Sequence, residues 1–378
     1  MKFAIDKEVL NARLGVVSHA IPTKSPLPAL TGVKIKVESD RVILVASNSN
    51  ISIRDIILGD KVEIEKTGIA LVDGKTFCNI IRVLKGGRVE LSSDGVRLYI
   101  TSGKSKYELN LMNADNYPNI EFDNFGLNTA LDMSVKEFSD IVKKVVVSAG
   151  TSEKKPILTG VNVACKENIV RFTATDAYRL SKYLLAKECG DFSITIPAYA
   201  VNEILKCDTE YEDTKISYNQ NKIVFEFGKT TFVTRLLEGN YPDTDRLLAN
   251  EFTEHLKINR EDLINAVDRI SIMSPADASD KEIAYNVVKF KVLEGNTVRI
   301  SVDNSVYGNA SETLELANTD AVKTNVDFAF SSKNLITALR SFENEYVTLN
   351  YFSDTRPFII TSESEPNLIQ LILPVRIN

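Results

Sequence analysis

Tryptophan is absent from the 378-residue chain, and histidine is nearly so, with only His19 and His255. That scarcity excludes a histidine-rich metal centre and argues against a histidine-based catalytic triad. Both histidines read as helix-end or surface residues. The four cysteines, Cys78, Cys165, Cys189 and Cys207, are scattered with no CxxC spacing, which points to buried or idle thiols in a reducing cytoplasm. Long apolar runs are missing too. Stretches such as Val145–Val147 and Leu371–Leu373 are far too short to span a bilayer. Lys2 and Asp6 bring charge too early for a secretory signal. No GxxxxGK[ST] loop is present to cradle a phosphate. The expectation is a cytoplasmic protein with no membrane segment and no cofactor.

What is present is a globular composition, 44% hydrophobic and 25% charged, with a formal net charge of -6. Length allows two to four domains, at roughly 100–200 residues each. Three amphipathic segments punctuate the chain. Asp6–His19 carries Leu10, Leu14 and Val17 on one face. Ser134–Val147 carries Phe138, Val142 and Val145, and Asn259–Ile272 carries Leu263, Val267 and Ile270. The i, i+4, i+7 spacing predicts helices with one buried stripe. Each helix leads into a strand region. Leu27–Val37 and Lys155–Val163 share the run Pro-x-Leu-Thr-Gly-Val, and Glu282–Val292 keeps only the alternation Val288, Phe290, Val292. Second helices recur around Phe77–Leu84, Val201–Leu205 and Leu335–Phe342. Closing strands recur as well. Tyr107–Leu111 precedes Asn116-Tyr117-Pro118, Phe232–Leu236 precedes Asn240-Tyr241-Pro242, and Leu368–Pro374 ends the chain.

The repeat predicts an α+β protein of three similar domains, 1–126, 127–250 and 251–378, each with two helices on antiparallel sheet. The links Phe122–Asn128 and Ala249–Thr253 lack Gly/Ser tracts, so the domains are expected to dock rigidly. Equal rotations between such units curve the molecule, and a two-fold contact can close it. Asp176, Asp243 and Asp245 sit at turn positions, where aspartate bonds local backbone, and do not read as a metal site. Charge is segregated. The six helical windows together carry +6, which leaves -12 on the rest of the chain. Lys75, Arg82, Lys85, Lys136, Lys143, Lys144, Lys333 and Arg340 are the candidate contacts to phosphates. They are suited to backbone binding without base readout.

Three local elements carry a resemblance that covers the whole chain. Thr175-Asp176-Ala177-Tyr178-Arg179-Leu180 resembles a Thr-Asp-Gly-His-Arg-Leu element. Glu238-Gly239-Asn240-Tyr241-Pro242-Asp243 resembles Gly-x-Phe/Tyr-Pro-Asp, and Leu373-Pro374-Val375-Arg376-Ile377 resembles a terminal Met-Pro-Met-Arg-Leu. In that order these are motifs of the bacterial DNA polymerase III beta subunits, the sliding clamps. Ala177-Tyr178 in place of Gly-His and the additional Asn378 are departures that touch partner binding.

The resemblance implies the DNA-clamp fold and a ring-shaped, head-to-tail homodimer without enzymatic activity. Such a ring is a processivity factor that encircles duplex DNA and tethers replicative and repair polymerases. Clamp-loader subunits are further partners. It places a peptide groove between the second and third domains, on Leu158, Thr175, Tyr178, Arg179, Leu180, Pro242, Arg246 and Leu247. The tail residues Leu371, Leu373, Pro374, Val375 and Arg376 join it. Leu180 and Leu247 would be its floor, and Arg179 and Arg246 its polar handles. It adds Lys24, Lys154 and Lys155 to the DNA contacts. It assigns the dimer seam to Tyr107 and Leu109 on a sheet edge and to Ile272 and Met273 at a helix end. Two other classes stay open from the residues alone. A repeat-built binding protein would not be retained on circular DNA, and an enzyme with a site at a domain junction would show nuclease or ligase activity.

Overall fold

Among the described residues, five of the six helices start where a short polar side chain can accept a backbone N–H. Asp6 accepts from Glu8 N at 2.8 Å, Asp73 from Thr76 N at 2.9 Å, Ser134 from Glu137 N at 3.0 Å, Asn259 from Asp262 N at 3.1 Å and Ser331 from Asn334 N at 3.4 Å. Such caps satisfy donors that the first helical turn leaves unpaired. The computed structural model describes residues 1–123, 129–207, 211, 213–248, 251–273, 287–293, 296–304, 307–318, 322 and 325–376. The expected strand residues 282–286, residues 124–128 and 249–250 of the two interdomain links, and Ile377 and Asn378 lie outside these.

The first repeat runs β1 (Lys2–Asp6), α1 (Lys7–Ser18), β2 (Gly32–Val37), β3 (Arg41–Ser47), β4 (Ile51–Leu58), an additional β5 (Val62–Lys66), β6 (Gly68–Asp73), α2 (Gly74–Val83), β7 (Arg88–Ser93), β8 (Arg97–Ser102) and β9 (Ser105–Met112). The second runs β10 (Thr129–Leu131), α3 (Val135–Val145), β11 (Gly160–Lys166), β12 (Ile169–Thr175), β13 (Arg179–Ala186), β14 (Phe192–Pro197), α4 (Ala198–Ile204), β15 (Thr214–Tyr218), β16 (Lys222–Phe227) and β17 (Thr230–Arg235). The third runs β18 (Glu254–Asn259), α5 (Arg260–Ser271), β19 (Val287–Val292), β20 (Thr297–Asn304), β21 (Gly308–Glu315), β22 (Asp327–Ser331), α6 (Ser332–Leu339), β23 (Tyr346–Tyr351), β24 (Phe358–Thr361) and β25 (Leu368–Ile372). The order β-α-β-β-β-β-α-β-β-β thus occurs three times. In the shared Pro-x-Leu-Thr-Gly-Val run the proline opens a 3-10 turn, Pro28–Thr31 or Pro156–Thr159, and the strand begins at the glycine.

The chain divides into two compact units, Met1–Ser139 with Asn202–Leu236, and Asp140–Val201 with Leu237–Asn378. The division passes through the second repeat because its two halves are sewn into different sheets. In the first unit, β17 pairs with β4, setting Phe232 opposite Ile53 and Thr230 opposite Asp55 within a 13-stranded sheet. In the second unit, β13 pairs with β25, setting Leu180 opposite Leu371 within an 8-stranded sheet, and β19–β22 form a separate 4-stranded sheet. The predicted stripes are inside. Leu10, Leu14, Val17, Phe138, Val142, Val145, Leu263, Val267 and Ile270 are all buried. Burial of each such side chain stabilises by about 1.5–3 kcal/mol.

The cysteines correct the reading above. Cys165, near the end of β11, forms a disulfide with Cys189 ahead of β14, across a sequence separation of 24. The antiparallel pairing of β11 with β14 brings these two ends together. Cys78 and Cys207 stay reduced, and burial pushes their thiols up to about 11 and about 12.

Asp55 is a charged residue inside the first unit, fully buried on β4. Its Oδ2 accepts from Thr230 Oγ1 at 2.7 Å and faces Arg13 at 3.5 Å, while Oδ1 has no hydrogen-bond partner. Burial raises its pKa from 3.8 to about 6, against the opposing pull of Thr230 and Arg13. The folded carboxyl therefore holds its proton at pH values where the unfolded one has released it. Its contribution is fully present below about pH 4 and is lost as pH rises through about 6. Asp55→Asn is expected to gain roughly 1–3 kcal/mol at about pH 8 and little at about pH 4. Urea midpoints at the two pH values check this, and an equal effect at both would refute it. In the β12–β13 turn, Ala177 adopts φ 77°, the left-handed region that costs an alanine about 1 kcal/mol. Ala177→Gly is expected to raise stability by about that amount in the same assay, and a loss of stability would overturn the reading.

Candidate functional site

The turn from Thr175 to Leu180 is built by its own side chains. Thr175 Oγ1 donates to Arg179 O at 2.6 Å and accepts from Ala177 N at 3.1 Å. Asp176 Oδ1 accepts from Tyr178 N at 2.9 Å and Arg179 N at 3.0 Å, and its Oδ2 takes Arg179 Nε at 2.9 Å. The aspartate acts as the turn-former expected of it. It also pins Arg179, while Tyr178 is turned outward and is 51% exposed.

Below the turn lies an apolar floor. Leu180, Leu371 and Ile359 are buried together, with Leu248, Phe252 and Ile369 packed against them. Leu247 is not in this cluster; it stands on the rim, 45% exposed, and its neighbour Leu248 turns inward instead. Ile359, Phe252 and Leu248 are floor residues that sequence reasoning missed. Leu158 is buried in the 3-10 turn Pro156–Thr159, and its carbonyl accepts from Gly150 N at 2.8 Å. Pro242 and Arg246 are exposed. The short turn Asp245–Leu247 that carries Arg246 is tethered by an ion pair from the buried Lys182 to Asp245, which holds the Asp245 carboxyl below the usual range.

The tail runs along this floor as a strap. Leu373 N donates to Tyr178 O at 2.9 Å and Val375 N to Ala329 O at 2.8 Å. Pro374, which has no N–H to place, lies between the two bonds. Leu373, Pro374 and Val375 are half-buried, and Arg376 is exposed. Behind the floor, Gln370 is buried and contacts Ser181 Oγ, Ser341 Oγ at 2.8 Å and Lys144 O at 3.0 Å, while Ser148 and Ser181 bond at 2.6 Å. A buried network with its members satisfied fixes the register of β13 on β25. The result is an aliphatic trough with rigid prolines and two arginines at its margin, the make-up of a peptide-anchor site.

The basic candidates sort by environment. Lys24, Lys75, Arg82, Lys85, Lys136, Lys143, Lys154, Lys155, Lys333 and Arg340 are exposed. Lys143 reaches Asp140 at 3.2 Å, and Arg82 donates to Asn79 at 2.9 Å. Lys144 differs. It is largely buried and ion-paired with Glu365, so its first role is to join helix α3 to the loop before β25.

The seam candidates sit at open edges. Residues Ser105–Asn110 of β9 pair with β8 alone among the described residues, and Tyr107 and Leu109 point to one face of that edge. Ile272 ends α5 and is 77% exposed, while Met273 packs partly on the third repeat's core and approaches Gly308 at the start of β21. Strand β21 is itself an edge, paired only with β20 among the described residues. Sequence reasoning passed over it because Asn309, Ser311 and Thr313 give no apolar signal.

Comparison with known proteins follows the three repeats. Family models described as the N-terminal, central and C-terminal domains of the DNA polymerase III beta subunit match residues 1–121, 132–243 and 245–376. The beta sliding clamp of Staphylococcus epidermidis is 34% identical over 386 residues, covering 100% of this chain and 99% of its own. That of Staphylococcus aureus is 32% identical over 385 residues, with the same coverage. The DNA polymerase III beta chain of Streptococcus pneumoniae superposes with a TM-score of 0.92 at 29% identity, and the DNA polymerase sliding clamp of Bacillus subtilis with 0.90 at 28%. Both cover 100% of the two chains compared. A threefold-repeated chain that matches one family's models from end to end belongs to that family: it is a member of the DNA polymerase III beta subunits, the bacterial beta sliding clamps.

Proposed function

We propose that the chain acts in the cytoplasm as a DNA polymerase processivity factor, a head-to-tail homodimeric ring that encircles duplex DNA. The protein is not an enzyme; its work is topological. The observation that carries the ring is the pattern of strand pairing. The fourth strand of one repeat takes the last strand of the next, as in β4 with β17 and β13 with β25. That rule leaves β21 and β9 over, one at each end of the array. A second copy satisfies both edges at once, through a two-fold arrangement. Carrying the two internal registers over sets Tyr107 opposite Ala310 and Leu109 opposite Gly308, to within a residue. Ile272 and Met273 then cap the same junction. Domain boundaries near residues 126 and 250 follow from the repeat.

The exposed lysines and arginines named above would line the ring and meet phosphates without reading bases, which leaves the ring free to slide. The groove under Thr175–Leu180 would take short peptides from polymerases and clamp-loader subunits, apolar anchors on Leu180 and Leu371, polar groups on Arg179 and Arg246. Ile272→Asp replaces an exposed side chain and so spares folding. It is expected to yield folded monomers at micromolar concentration and to abolish retention on circular DNA, while the parent is retained until the circle is cut. Sedimentation and a linearisation assay read both, and a dimeric Ile272→Asp protein would refute the seam. Deleting Leu373–Asn378 is expected to abolish binding of a labelled polymerase peptide by fluorescence anisotropy and to leave the dimer intact. Native peptide affinity in the truncated protein would place the groove elsewhere.

A further inference from the structure

Alternation along β13 puts Lys182 on the same face as Leu180, two residues further from the Thr175–Leu180 turn. Its neighbours across the sheet are Thr173 on β12 and Ile369 on β25, and Ile369 packs against the groove floor. A lysine thus interrupts a face that begins as an aliphatic floor. It is 2% exposed, and a charge buried to that degree needs a partner. Asp245 Oδ1 is that partner, and Arg171 of β12 approaches Oδ2 of the same carboxylate at 3.9 Å. Asp245 belongs to a turn that closes on itself. Its N donates to Asp243 Oδ1 at 3.0 Å, Leu247 N to Thr244 O at 3.1 Å and Leu248 N to Asp245 O at 3.1 Å. The ion pair therefore fastens the whole rim turn to the sheet beneath it.

The first repeat carries the same fastening. Ser49 and Ala177 hold matching places in their turns, with φ 75° and 77°, so Arg54 on β4 matches Lys182 on β13. Arg54 Nη1 and Nη2 donate to Asp123 at 2.6 and 3.0 Å. Asp123 follows Asn116-Tyr117-Pro118 as Asp245 follows Asn240-Tyr241-Pro242. In both repeats, then, a cation at this strand position holds a carboxylate of the segment after Asn-Tyr-Pro. In the second repeat that segment carries Arg246 and Leu247 at the groove's margin and runs on to Leu248 and Phe252 at its floor. We infer that Lys182 is a positioning residue of the groove. Through Asp245 it fixes the rim turn and so the places of Arg246 and Leu247, while its own burial keeps it from touching the peptide. An aliphatic residue at 182 would lengthen the floor and release the rim. This role rests on the reading of the groove under Thr175–Leu180 as a peptide site.

Lys182→Met in the full chain separates positioning from mere stability. Methionine is an unbranched apolar side chain, and Asp245, 63% exposed, is left to water and not to a buried void. The urea midpoint is expected to stay as in the parent, because an apolar side chain replaces a buried ion at little net cost. The labelled polymerase peptide is expected to bind about tenfold more weakly by fluorescence anisotropy, because the rim is no longer preorganised. Lys182→Arg keeps the cation, as Arg54 does, and is expected to bind with native affinity. With Arg246→Ala and Leu247→Ala already in place, Lys182→Met is expected to change affinity by less than about twofold, since its route to the peptide has been removed. Native affinity in Lys182→Met overturns the inference, as does a loss that Lys182→Arg shares. So does an equal loss with and without the rim side chains, or a loss matched by a fall in the urea midpoint. In each of these the parent binds the peptide and the groove reading stands. A parent that fails to bind it sinks that reading, and this role with it.

Discussion

A strand edge in water carries a row of unpaired N–H and C=O groups, and a three-repeat chain built from antiparallel sheets has to dispose of several of them. The pairing of β4 with β17 and of β13 with β25 disposes of four. It does so by making each sheet continuous from one repeat into the next. The proposed peptide groove and a cavity of the first unit are arranged around these pairings. The groove floor is the side-chain layer over β13 and β25, the polar network of Gln370 lies behind them, and the cavity lined by Arg235 lies over β4 and β17.

Polar groups buried at the two pairings act on register more than on stability. Asp55 opposite Thr230 and Ser181 opposite Gln370 can be satisfied in one alignment only, because a slip of one residue turns each side chain to the other face of the sheet. An apolar pair at either place would tolerate more than one alignment. The carboxyl of Asp55, half-satisfied and raised to about 6, shows the cost of that specificity at neutral pH.

The helices could be read directly, since Leu10, Leu14 and Val17 and their counterparts obey a local period. Strand partners could not. Ser181 and Gln370 lie 189 positions apart, and no spacing connects them. The groove was legible only where motifs ran through it, at Thr175–Leu180 and Leu373–Arg376. Ile359 and Phe252 belong to no motif, and Leu248, the residue that follows the 3-10 turn Asp245–Leu247, packs on the floor while Leu247 stays exposed. Two further misses have the same origin. The Cys165–Cys189 bridge depends on β11 meeting β14, and the capture of Lys144 by Glu365 on a contact between the second and third repeats. A charge count along the helices records Lys144 as basic surface; the fold makes it a fastening.

The last strands of the three repeats show how one position acquires three uses. β17 is paired on both sides and ends with Arg235 at the rim of a polar cavity. β25 is also paired on both sides, but the chain continues past it, and Pro374 takes the continuation out of the ladder, so that Leu373 is held from the β12–β13 turn and Val375 from β22. Among the described residues, β9 has a neighbour on one side along Ser105–Asn110 and carries Tyr107 and Leu109 there. The same backbone therefore supplies an internal weld, a strap over a groove, and an edge left unpaired among the described residues. What separates them is which neighbouring strand remains available and whether the side chains at two or three positions are leucine, serine or arginine.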